Sequence, residues 1–279
     1  MQRRRLGLRV ALILLAMAAS GAQASATLDR IRDRHAIVFA YREGAAPFSF
    51  KDRDGRIRGY TVELCARIAQ AIQRELRIAE LDVKWIPVDA DNRIDAVASG
   101  RADAECGTTT ITLSRMARVD FSVPIFVDGG ALAVRPRSPV QRLADLDGRR
   151  VAVIAGTTTE RALRSALGVA EAKATVITVA KPEEGAGALR DGRVDAYAGD
   201  RIVLTQLMLR MPDELGVLPD DFSFEPYAIM VRRDDPDFRL AVNRALVAMY
   251  KRGDMDGIFQ HWLAPLGKPS ALVNAMFYL

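Results

Sequence analysis

Four charged residues sit where an apolar strand pattern gives way to a loop or a helix start: Arg42, Arg93, Arg115 and Asp200. The densest chemistry surrounds Arg115, in the stretch Glu105 to Ser122. There Gly107 permits a close turn, and Thr108 and Thr110 aim hydroxyls and amides at one point. Thr112 suits the N-cap of a helical turn from Leu113 to Arg118. Arg115, at the third position of that turn, can fold back over its start. Amides, hydroxyls and a guanidinium converging at a helix N-terminus suit a carboxylate or a phosphate. The same residues also fit a plain threonine-rich turn with a surface arginine.

The device recurs. The apolar strand Val151 to Ile154 runs into Gly156-Thr157-Thr158-Thr159 and then a helix pattern. Two such cups suit opposite walls of a cleft. Asp200 follows the end of the strand Val194 to Gly199, where a carboxylate suits a cationic amine. It suits equally well the N-cap of a helix from Arg201 to Leu209. Arg42 follows the strand Ala36 to Ala40, at the end where open α/β sheets bind ligands, although loop arginines are more often simply solvated. Arg93 lies between the strand Leu81 to Val88 and a short helix, Ile94 to Ser99.

The positioning elements alternate between strand and helix, the pattern of an α/β fold. Asp52-Arg53-Asp54-Gly55 marks a hairpin turn. Thr61 suits the N-cap of a helix whose apolar face carries Cys65, Ile68, Ala69, Ile72 and Leu76. Phe121 to Val134 is long, and Pro124 and Gly129-Gly130 make it poor as one central strand. It reads instead as an extended crossing between two lobes. Phe224 to Val231 reads as a returning strand, and the residues after Pro236 as two helices packed back on the first lobe.

Arg3, Arg4, Arg5 and Arg9 precede an apolar run, Val10 to Ala19, and two small-x-small sites follow, at Ala22-Gln23-Ala24 and Ala24-Ser25-Ala26. This is the pattern of a cleavable secretory signal peptide over residues 1–26, and the run is short for a membrane span. The whole chain carries 40 basic and 35 acidic residues, a net charge of +5. Loss of the four signal arginines leaves 36 against 35, a net charge of +1. The basicity therefore makes no case for nucleic acid. Roughly 250 residues remain, enough for two cores. Export permits a disulfide between Cys65 and Cys106, and their buried-looking positions fit two inert thiols as well. His35 and His261 add no metal-ligand spacing, so no metal or cofactor is expected.

Taken in order, several motifs resemble the periplasmic solute-binding proteins of family 3, the polar amino-acid receptors of ABC importers. They are Pro-Phe-Ser-Phe (47–50), Gly59-Tyr60 with its helix, Thr110 to Arg115, Asp145-Leu146-Asp147-Gly148, Val151 to Thr158, and the closing Gly253, Ile258 and Trp262. Asn92-Arg93-Ile94, Glu105 to Thr110, Pro124 to Val127 and the tail Leu272 to Phe277 are similar to the glutamate/aspartate-binding branch. The resemblance implies a two-lobed periplasmic binding protein fold of type II. One lobe would be residues 27–124 with 228–279, the other 130–222, and the hinge strands 125–129 and 223–227. It further implies that Arg115 clamps an α-carboxylate with Thr108, Thr110, Thr157 and Thr158. Asp200 would take the α-ammonium, and Arg42 and Arg93 a side-chain carboxylate. A periplasmic monomer delivering its ligand to a permease with an associated ATPase is expected. Two positions depart from that branch, where Ala90 stands for a serine and Pro182 for a histidine, so the bound side chain is left open. Two other readings stand beside it. One is a prephenate or arogenate dehydratase on the same fold, with Glu183 or Glu184 as acid, and the other is a ligand sensor for a receptor kinase.

Overall fold

The computed structural model describes residues 26–277. The signal-peptide reading, apart from Ala26 itself, lies outside the described residues. Along the chain run β1 (Ala36–Arg42), β2 (Gly44–Ala45), β3 (Ser49–Lys51), β4 (Ile57–Arg58), β5 (Asp82–Val88), β6 (Ala104–Cys106) and β7 (Val119–Asp128). Then follow β8 (Gly130–Val134), β9 (Arg150–Ile154), β10 (Thr175–Val179), β11 (Ala196–Asp200), β12 (Gly216–Val217) and β13 (Glu225–Arg232). They form two five-stranded sheets, in the orders β5-β1-β6-β13-β7 and β10-β9-β11-β8-β12, and a small three-stranded sheet, β2-β3-β4.

Each large sheet is covered by helices on both faces. In the first lobe, the helix Tyr60–Leu76 shares a core with the C-terminal helices Pro236–Lys251 and Asp254–Leu263, through residues such as Ile68, Leu246 and Ile258. The opposite face packs Ala96 and Val97 of the helix Arg93–Ala98 against Ala40, Val88 and Met230. In the second lobe, Leu163 and Leu167 cover one face and Leu189, Leu204 and Leu207 the other. The tail folds as the helix Ala271–Phe277, with Val273 buried in the first core.

Two local readings change on folding. The helix of the first core starts at Tyr60, behind Gly59 rather than Thr61. Gly59 has φ 133°, and a Cβ there would lie 2.2 Å from the Phe48 carbonyl oxygen, so only glycine fits the approach. Thr61 is consequently inside the first turn, fully buried. The second concerns Pro124. The crossing segment contains a full ten-residue strand, β7, and the proline is tolerated because β7 is the edge of its sheet. The ladder to β13 is irregular on either side of Ala228, the residue opposite Pro124. At Gly129 the chain leaves the first sheet and enters the second as β8. A Cβ at Gly129 would lie 2.4 Å from Asp221 Cγ, so the crossing is tightly packed. β13 brings the chain back, its first residues pairing with the last of β7.

Candidate ligand-binding cleft

Parallel pairing decides what faces the gap between the lobes. β1 runs parallel to β5 and β6, and β9 runs parallel to β10 and β11. Parallel strands deliver their C-terminal ends to the same edge, where ligands bind in open α/β sheets. Arg42 is the last residue of β1, and β6 leads directly into Gly107-Thr108-Thr109-Thr110. In the other lobe β9 leads into Gly156-Thr157-Thr158, and β11 ends on Asp200.

About 530 Å³ of empty space, part of it open to solvent, lies between these edges. Arg42, Arg93, Thr108, Thr157, Thr158 and Asp200 line it, with Pro182, Tyr197 and Gly199. Thr110 and Arg115 are set back from this space, at the line where the lobes touch. Thr110 Oγ1 lies 3.1 Å from Thr158 Oγ1 of the other lobe and donates to Glu225 Oε2 at 2.6 Å. Arg115 is buried, and its Nη1 donates to the Thr110 carbonyl at 2.7 Å. The helix carrying it is short, Leu113–Met116, and Thr112 caps it by accepting from the Arg115 amide. Thr157 caps the opposing helix, Thr158–Val169, by accepting from Glu160 N at 3.0 Å.

The cleft concentrates buried charge of both signs. Arg93 is only 2% exposed, and its Nε has no hydrogen-bond partner. Its guanidinium is pushed down to about 9, by burial first and then by Arg42 and Arg115, against the pull of Glu105 and Asp200. It is therefore charged at neutral pH in surroundings that disfavour the charge. Arg115 is lowered in the same sense, by burial and by Arg161, while Glu105, Glu225 and Asp200 oppose the shift. Glu105 lies fully buried beneath the arginines, and burial raises its carboxyl although Arg93, Arg42 and Arg115 all pull it down. A Cβ on Gly107 would lie 2.0 Å from Glu105 Oε1 and 2.8 Å from Arg42 Cγ. Gly107 is thus required by crowding, because it lets the carboxylate and Arg42 approach each other across the backbone.

Asp200 stands at the head of the helix Arg201–Arg210 but makes no side-chain cap bond there. Asp128, from the end of β7, accepts from Ile202 N at 3.2 Å and from the Tyr227 hydroxyl at 3.1 Å. This capping from a distant strand leaves Asp200 free to turn toward the cleft, where it accepts from Thr159 Oγ1 at 2.6 Å. Burial raises both carboxyls, and their mutual repulsion reinforces it at Asp128, which is pushed up to about 8 from 3.8. Between those values the native state retains a proton that the unfolded chain has released. Stability is therefore fullest at the acid end and falls as the pH rises toward about 8. The thermal midpoint of the ligand-free protein should drop from about pH 5 to about pH 8, and Asp128→Asn should flatten the drop. An unaltered slope in that variant would assign the titration elsewhere.

Several residues of the cleft are not legible as site residues in the sequence. Glu105 lies within the stretch of densest chemistry, yet a strand-end glutamate reads as ordinary. Asp128, Glu225 and Tyr227 sit on the two segments that join the lobes, where nothing local announces a role. Tyr197 reads as a core aromatic. Glu183 and Glu184, the candidate acids of a dehydratase, are both exposed, and Glu184 is occupied in accepting from Ala180 N at 3.0 Å. The two cysteines, open between bridge and thiols on sequence, form a disulfide with Cα atoms 6.3 Å apart.

Known proteins place this architecture. The family model for "Bacterial extracellular solute-binding proteins, family 3" matches residues 37–265. The chain is 32% identical over 249 residues to an L-glutamate/L-aspartate-binding protein of Pseudomonas aeruginosa, covering 88% of this chain and 82% of that one. It is 30% identical over 261 residues to a glutamate/aspartate import solute-binding protein of Escherichia coli (strain K12), covering 90% and 86%. Among solved structures, the ancestral amino acid-binding protein AncCDT-1, a precursor of cyclohexadienyl dehydratase, matches with TM-score 0.75 at 30% identity, covering 85% of this chain and all but 1% of that one. Two helix-covered sheets joined by two crossing strands, with strand ends and threonine turns facing one cleft, agree with these matches, and the chain belongs to the bacterial extracellular solute-binding proteins, family 3.

Proposed function

We propose that the protein is a periplasmic receptor for a polar, acidic amino acid of the glutamate/aspartate kind, which it delivers to an inner-membrane ABC permease with its ATPase. The observation that carries this reading is the buried Arg93, charged, without a partner at Nε, and beside Arg42 on the cleft wall. Burying a cation with an unbonded donor is costly, and a ligand carboxylate between Arg93 and Arg42 relieves the cost.

In this reading Arg115 takes the α-carboxylate together with Thr108, Thr110, Thr157 and Thr158. Asp200 takes the α-ammonium, which replaces the proton that the Asp128–Asp200 pair otherwise holds. Arg42 and Arg93 take the side-chain carboxylate. The lobes, residues 27–124 with 228–279 and residues 130–222, close by hinge motion in the strands 125–129 and 223–227. The Thr110–Thr158 contact across the cleft belongs to the closed form. The relatives named for glutamate and aspartate support the acidic ligand.

Isothermal calorimetry of the purified mature protein against the common amino acids and small dicarboxylates tests the reading. Saturable binding of at least one acidic amino acid is expected. Absence of binding by every amino acid tried, or release of phenylpyruvate from prephenate, would overturn it.

A further inference from the structure

Among the described residues, the buried side-chain polar atoms without a hydrogen-bond partner belong to Thr61, Arg93, Glu105, Thr109 and Tyr197. Of these residues, Arg93 and Tyr197 line the cleft. Arg93 already has a place in the receptor reading. Tyr197 has none. It is the second residue of β11, three residues before Asp200, and is 1% exposed. Its ring packs among Leu189, Leu204 and Leu207 in the core of the second lobe. Gly185, on the helix Pro182–Arg190, makes room for the far end of the ring, because a Cβ there would lie 2.4 Å from Tyr197 Cε2 and 2.6 Å from Cζ. The fold thus admits a tyrosine into the cleft lining and leaves its hydroxyl buried, with no hydrogen-bond partner among the described residues.

A buried, unsatisfied hydroxyl is a cost that a core usually avoids, and phenylalanine would fill the same space without it. Charged groups around the cleft act on the hydroxyl. Asp200 and Glu183 disfavour its ionisation and Arg42 favours it, while burial, the largest influence, keeps the phenol protonated. It is therefore a neutral donor on the wall that Arg42 shares. The adjoining wall residue, Pro182, has neither an N–H nor a polar side chain to offer a ligand.

We propose that Tyr197 is a specificity-determining residue, whose hydroxyl donates to the side-chain carboxylate of the bound amino acid from the second lobe while Arg42 and Arg93 hold it from the first. This rests on the acidic amino-acid reading given above. It makes the side-chain subsite a two-lobed one, so that the length and charge of the side chain are sensed only when the cleft closes.

The test is Tyr197→Phe, measured by calorimetry with L-glutamate, L-aspartate and their amides, with the melting temperature of the ligand-free protein recorded beside it. Affinity for the preferred acid should fall at least about tenfold. The ligand-free melting temperature should stay level or rise, because the lost hydroxyl bonds nothing among the described residues. Affinity within about threefold of wild type, or a ligand-free melting temperature lower by more than about 3 °C, would overturn the inference and make Tyr197 a residue of the fold. Wild-type protein that binds no acidic amino acid fails the receptor reading, and this inference with it. Wild-type binding with unchanged affinity in Tyr197→Phe fails this inference alone.

Discussion

Replacement of Arg115 by alanine should abolish measurable binding of every α-amino acid, whatever its side chain. Arg115 is buried at the line where the lobes meet, one carbonyl away from the Thr110 hydroxyl that touches Thr158. A carboxylate clamped there is shared by all α-amino acids, so its loss is not selective. Removing one member of a buried, hydrogen-bonded charge pair costs about 2–5 kcal/mol, roughly thirty- to several-thousand-fold in affinity. Arg115→Lys should recover part of this, since it keeps the charge and loses the planar fork. Arg42→Ala and Arg93→Ala should behave differently, changing which side chain is preferred. Calorimetry on protein checked for native circular dichroism reads all four variants. Affinity of Arg115→Ala within twofold of wild type for any amino acid would remove the centre of the proposed site.

The second large effect is on stability. Cys65 lies on the buried face of the helix Tyr60–Leu76, and Cys106 ends β6, 41 residues further on. Closing a loop of that length restrains the unfolded chain, and its loss typically costs about 2–4 kcal/mol. For a protein of this size that is a fall of roughly 5–15 °C in melting temperature. Cys65→Ala with Cys106→Ala should show it in a thermal melt, as should wild-type protein held in reductant. Both cysteines are fully buried, so small apolar replacements leave little new strain. A melting temperature unchanged in the double variant would mean that the bridge contributes nothing to the folded state. The bridge also anchors the start of the cleft, since Gly107 and Thr108 follow Cys106 directly.

Much of this molecule is legible in the sequence because the signals are local. The Thr112 cap, the apolar face Cys65-Ile68-Ala69-Ile72, and the turns after β9 and before the helix Leu113–Met116 each depend on residues within one or two helical turns. Where a local reading shifts, a contact from elsewhere is the cause. Gly59 displaces Thr61 as the helix start because the Phe48 backbone passes within reach of a Cβ. Pro124 sits inside a strand because that strand has no partner on its outer side among the described residues.

The sequence by itself determined the alternation of strand and helix, the glycine-threonine turns, and a placement of Arg42, Arg93, Arg115 and Asp200 at strand ends or helix starts, since each follows from short-range periodicity and capping. Only the tertiary structure decided what those ends face. It joined Cys65 to Cys106, set Thr110 between Thr158 and Glu225, and had Asp128 cap the helix at Ile202 so that Asp200 turns to Thr159. It also placed Glu105 among three arginines and Tyr197 on the cleft wall. Apart from those of Glu105 with Arg93 and Arg115, these are pairings between residues about 40 to 115 positions apart. They arise from strand order and from the two crossings between lobes, neither of which a local pattern of residues encodes.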